Sequence, residues 1–123
     1  IIAIIVAQER KHANWIGTLL EARGLTKELL DKQERYWKET LDSISDFHTG
    51  AGVAAHAERM RLERIKVIAE DADAPADVRR VFKKIFVDEK FHVKAFTQMA
   101  GSDALKATLK NHEAGMRALG LIM

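Results

Sequence analysis

Two Glu-x-x-His pairs, Glu9 with His12 and Glu89 with His92, stand inside otherwise apolar seams of helical spacing. The first seam reads Ile2, Ile5, Glu9, His12, Ile16, Leu19; the second reads Val78, Phe82, Ile85, Glu89, His92, Phe96, Met99. Residues three apart on a helix share a face about one turn apart, so each pair aims a carboxylate and an imidazole at one point. Burying such groups without partners costs on the order of several kcal/mol each, comparable to the whole stability of a small domain. A pair of metal ions compensates all four. A further seam, Ala51, Ala55, Glu58, Leu62, Ile65, Ala69, carries Glu58 inward, whereas Glu63 shares a face with His56, Arg59, Lys66 and Glu70 and reads as solvated. The core would then hold Glu9, His12, Glu58, Glu89 and His92 on three helices, the ligand set of a dinuclear carboxylate site less one glutamate.

The elements that must position these groups are all helical. A first helix runs from about Ile2 to Ala22 and ends at Arg23 and Gly24. Thr26 suits the N-cap of a second, through Leu29, Leu30, Gln33, Tyr36, Trp37, Leu41 and Ile44 to about Ser45. Turn residues fill Ser45 to Gly52, and a third helix covers roughly Ala51 to Glu70. The run Asp71-Ala-Asp-Ala-Pro75 breaks it, and Pro75 in a first turn beside acidic residues starts a fourth helix that reaches Met99 and stops at Gly101. Ser102 or Asp103 caps a fifth, with Leu105, Leu109, His112, Met116 and Leu119 on its apolar side. No strand pattern or repeat interrupts this series, so the expected fold class is all-α.

Composition narrows the chemistry. With no cysteine, iron–sulfur clusters, disulfides and thiolate zinc sites are excluded, and any metal must be held by oxygen and nitrogen. The 123 residues suit one domain, and a net charge of +2 with interspersed signs points to neither nucleic acid nor a membrane surface. The opening Ile-Ile-Ala-Ile-Ile-Val-Ala is too short to span a bilayer and lacks the basic start of a signal peptide, so a cytoplasmic location is expected. It is apolar on nearly every side, the pattern of a helix that is surrounded, and it begins in mid-pattern. Native sequence upstream of Ile1 is therefore expected.

The arrangement resembles the ferritin-like di-iron carboxylate proteins: rubrerythrins, the ribonucleotide reductase small subunit, bacterial multicomponent monooxygenases and related N-oxygenases. Their ligands follow in the order Glu, Glu-x-x-His, Glu, Glu-x-x-His across four helices. Here Gln8-Glu9-Arg10-Lys11-His12 resembles the first pair, Glu58 the lone third-helix carboxylate, and Asp88-Glu89-Lys90-Phe91-His92 the second pair. No helix precedes Glu9 to give the remaining glutamate, so residues 1–123 resemble a single ferritin-like bundle lacking its first helix. The sixth ligand would come from upstream or from another chain. Glu34 and Glu39 are alternatives, at the wrong place in the chain order. In the family the residue before each metal-binding Glu can hold the opposite histidine, which implies Asp88 for His12 and Gln8 for His92. Asp88 reads equally well as an exposed acid paired with Lys84 or Lys94.

The resemblance implies two iron ions, with manganese or a mixed Mn/Fe pair as alternatives, and an oxidoreductase that activates O2 or peroxide, most simply an oxygenase or oxidase. Its partners would be a small organic substrate, an electron donor and a second copy of the chain, a homo-oligomer such as a dimer. Iron storage with ferroxidase activity, and a metal-free helical interaction module, are the competing readings. Elsewhere, His112 reads as a hydrogen-bonded core histidine, His56 and His48 as surface and loop residues, and Trp15, Tyr36 and Trp37 as packing groups.

Overall fold

The computed structural model of the chain describes residues 1–26 and 32–123. Among them every regular element is helical. α1 (Ile2–Glu21) closes where the glycine required it: Gly24 N–H donates to Glu21 O at 3.0 Å and Leu25 N–H to Leu20 O at 2.9 Å, with Gly24 at φ 67°. This is a Schellman closure, and the positive φ carries no penalty only because Gly24 lacks a Cβ. The expected capping by Thr26, and the side chains of Leu29, Leu30 and Gln33, lie outside the described residues. α2 (Lys32–Thr40) gives way to a 3-10 turn at Leu41–Ser43 instead of continuing to Ser45. Its end follows from hydroxyls taking backbone acceptors: Thr40 Oγ1 donates to Tyr36 O at 3.2 Å and Ser43 Oγ to Thr40 O at 2.7 Å.

α3 (Phe47–Glu70) starts earlier than the expected Ala51, and the cause is a reciprocal capping box. Asp46 Oδ1 accepts the Thr49 N–H at 2.8 Å while Thr49 Oγ1 accepts the Asp46 N–H at 3.0 Å. The Thr49 N–H and the Thr49 hydroxyl, both donating to Oδ1, hold the Asp46 carboxyl below the usual carboxylate range. The acidic turn then ends α3 as expected, with Asp71 Oδ1 accepting the Asp73 N–H at 2.9 Å. α4 (Ala76–Ala118) contains both the fourth and the fifth expected helices, separated at Gly101, whose φ of 77° and ψ of 165° are non-helical. That backbone region is open in practice to glycine alone.

The chain divides into two compact units. The first comprises Ile1–Glu28 with Met60–His92, and Ile5, Ile65, Ala69 and Ile85 are buried in it. Arg23 Nη2 donates to Asp77 Oδ1 at 2.8 Å, tying the end of α1 to the start of α4. Ile1, Ile2, Ile4 and Val6 are exposed along α1. The second unit comprises Leu29–Arg59 with Val93–Met123, where Ala51, Ala100 and Ala104 form a buried cluster flanked by Phe96, Met99 and Leu105. A Cβ at Gly52 would lie 2.9 Å from Thr108 Oγ1 and 3.0 Å from the Ala104 carbonyl, so α3 and this part of α4 approach at backbone distance.

That approach corrects the expected seam of the fifth helix. The residues turned inward are Ala104, Thr108 and His112, whereas Leu109 is exposed. Small side chains win the buried face because larger ones would push the helices apart.

Candidate metal centre

α1 and the first part of α4 bring the two Glu-x-x-His pairs together inside the first unit. Their helical phase predicts an inward face, and burial follows it: His12 is 4% exposed, Glu89 1% and His92 0%. Glu9 is the exception, its side chain 39% exposed. His92 Nδ1 lies 3.0 Å from Glu9 Oε1 and 3.5 Å from Glu89 Oε2, while His12 Nδ1 lies 4.0 Å from Glu9 Oε2 and 3.9 Å from Glu89 Oε1. Each carboxylate thus turns one oxygen toward each histidine. The two rings stack with centroids 6.0 Å apart.

The outer edges of the rings are held by Asp88 and Gln8. His12 Nε2 donates to Asp88 Oδ2 at 2.8 Å, and His92 Nε2 donates to Gln8 Oε1 at 2.7 Å. With Nε2 of each ring turned outward, both Nδ1 atoms face carboxylate oxygens of Glu9 and Glu89, the nitrogen by which an imidazole so held would ligate a cation. His12 Nδ1 is buried and makes no hydrogen bond. The donor set fits a metal ion: ligand atoms of Glu9, Glu89 and His92 lie within 4.8 Å of one another, and hard carboxylates with imidazole suit iron or manganese.

Glu58 is buried on α3, in phase with Leu62, Ile65 and Ala69, and Glu63 is exposed. Helical phase and burial thus agree in separating these two glutamates. Glu34 and Glu39 are both exposed on α2. Trp15 is half-buried, its ring 5.6 Å from that of His12 and flanked by the ammonium groups of Lys11 and Lys84 at 5.2 and 5.5 Å.

A cluster in the second unit escaped sequence reasoning in part. His112 is buried, as expected, and its Nδ1 is hydrogen-bonded to the Tyr36 hydroxyl at 2.7 Å. Burial, with a smaller contribution from His56, pushes its imidazolium down to about 4. His56 corrects the expectation of a surface residue: it is half-buried, stacks on His112 at 4.9 Å and donates from Nε2 to the Leu105 carbonyl at 2.9 Å. His48 lies in the first turn of α3 instead of a loop, 3.0 Å from the Met99 carbonyl. The only signal for His56 was its spacing one residue from the Ala55 seam, too weak to separate it from its charged neighbours.

No curated protein and no solved structure matches the chain. No helix of the described residues is long and apolar enough to cross a membrane. The family model for rubrerythrin matches residues 1–100, a span that includes both Glu-x-x-His pairs, Glu58, Gln8 and Asp88. With a helical architecture and a carboxylate–imidazole cluster in hand, that match places the fold in the ferritin-like helical bundles, and the chain belongs to the rubrerythrin family of di-iron carboxylate proteins.

Proposed function

We propose that the chain is a di-iron oxidoreductase in which Glu9, His12, Glu58, Glu89 and His92 hold two metal ions, and that it activates O2 or peroxide toward a small organic substrate. The observation that carries this reading is the pair of inward Nδ1 atoms facing Glu9 and Glu89, since each carboxylate has one oxygen for either histidine. Burial of Glu58 in phase with Ile65 supports it as a further ligand. Bound iron, or manganese in its place, supplies the electrons for reducing O2 or peroxide. The protein's part is to fix the ligands: Asp88 and Gln8 set both histidine tautomers, and Ile5 and Ile85 help keep water from the buried side. Glu9, the most exposed of the five, sits where a small molecule can approach.

Two broader features belong to the same reading. A reading of residues 1–123 as one domain is supported by α3 and α4, each of which has residues in both compact units. The exposed Ile1, Ile2, Ile4 and Val6 give α1 an apolar surface suited to a homo-oligomer. Chain loaded anaerobically with Fe2+ should consume O2 rapidly on mixing, and Glu89→Gln should slow that uptake at least about tenfold. Uptake no faster than that of free Fe2+ would contradict the proposal. Size measurement separates it from storage, which needs a cage-forming oligomer to hold mineral.

A further inference from the structure

Gln8 and Asp88 occupy equivalent places, each one residue before a glutamate of the cluster, yet they are chemically unequal. Asp88 offers His12 a carboxylate oxygen at 2.8 Å; Gln8 offers His92 an amide oxygen at 2.7 Å. With its oxygen so engaged, the Gln8 amide turns its NH2 to the other side, where Nε2 faces Asp88 Oδ1 at 3.5 Å. The four side chains form one hydrogen-bonded series, His12 to Asp88 to Gln8 to His92. Its order fixes the direction of every bond, and a single negative charge sits on the His12 side.

We propose that this difference makes the two histidines unequal metal donors, Asp88 and Gln8 each acting as the positioning residue for one ion. The proposal rests on the two-metal reading above. A carboxylate draws the Nε2 proton toward itself and raises electron density at the opposite ring nitrogen, giving His12 partial imidazolate character. A neutral amide oxygen orients the ring equally well but draws the proton less, so His92 remains an ordinary imidazole. Asp88 accepts no bond from His92 and is joined to it only through the Gln8 amide, so its pull on the His92 ring is weaker than on the ring it bonds directly. Removing the carboxylate should therefore weaken the ion on His12 and spare the ion on His92.

Two isosteric variants of the full chain test this. Asp88→Asn keeps an oxygen acceptor of the same shape, and the exchange variant Asp88→Asn with Gln8→Glu moves the carboxylate to the other side at constant net charge. Co2+ titration, followed by ligand-field absorption, should show two binding steps in the parent. Asp88→Asn should weaken one of them about 10- to 100-fold and change the other less than about twofold. In the Zn2+-loaded protein the His12 ring N–H proton should resonate furthest downfield, move upfield in Asp88→Asn, and yield that place to the His92 N–H in the exchange variant. A purely structural pin would not relocate that signal. Equal weakening of both steps, or ring N–H signals indifferent to the exchange, would overturn the inequality while leaving the metal reading intact. Failure to bind any Co2+ would overturn both.

Discussion

Glu89 shows how the proposed site would set function against stability at the scale of one residue. Its carboxylate is 1% exposed and shares the site with the Glu9 carboxylate. Like charges held together in a poorly solvated place cost stability, and an ion bound there as proposed would offset that cost. Glu89→Gln should therefore raise the melting temperature of metal-free protein by a few degrees, on the order of 1 kcal/mol, while reducing metal affinity at least about tenfold. A metal-free variant that melts below the parent would show that Glu89 is fully compensated by protein groups. A second comparison uses helical phase. Glu58→Ala should lower metal occupancy and Glu63→Ala should leave it nearly unchanged, because only Glu58 is buried. Equal losses from both would remove Glu58 from the ligand set.

At the scale of elements, two local devices can be tested separately. Gly101 has no atom within 4 Å of where a Cβ would stand, so Gly101→Ala meets no clash and reports backbone strain alone. At φ 77° and ψ 165° that strain should lower stability by about 1–3 kcal/mol, read as a reduced urea midpoint. His112 joins α4 to α2 through Tyr36, and burial keeps its imidazole neutral. Its folded pKa, about 4, lies below the ordinary value of 6.5, so the unfolded chain binds the extra proton first. The resulting stability is fully present above about pH 6.5 and is lost as the pH falls toward about 4, at most about 3 kcal/mol. The urea midpoint of His112→Gln should accordingly fall less across that window than the parent's; parallel curves would show that His112 does not titrate there.

These elements also show what was legible in the chain. The α1, α3 and α4 seams could be read because inward residues recur at helical spacing, and Glu58 was separable from Glu63 by phase alone. Leu109 misled because hydrophobicity favours large residues, whereas the close approach of Gly52 to Thr108 selects small ones. The start of α3 was misplaced because Asp46 and Thr49 cap through a reciprocal pair of bonds amid residues that also spell a turn. The bonds from Asp88 to His12 and from Gln8 to His92 join residues far apart in sequence, where periodicity says nothing, and only the family resemblance anticipated them.

At the scale of the whole molecule, the proposed metal binding would be coupled to folding. An ion that binds only the native chain stabilises it by mass action, about 2.7 kcal/mol at a hundredfold excess over Kd. Chelation should therefore lower the melting temperature, and reloading should restore it in proportion to free metal. The continuity of α3 and α4 through both compact units predicts a single cooperative transition in either state. Two resolved transitions would mean that the units unfold independently.

If two Glu-x-x-His pairs and Glu58 hold a metal pair as proposed, the protein must carry metal in fixed proportion to the chain. Protein loaded anaerobically with Fe2+, desalted and measured by plasma mass spectrometry should retain about two iron ions per chain, as a dinuclear carboxylate site requires. His12→Gln with His92→Gln should retain almost none. Near-zero iron in the parent, or unchanged iron in the double variant, would rule out a metal pair held by these residues.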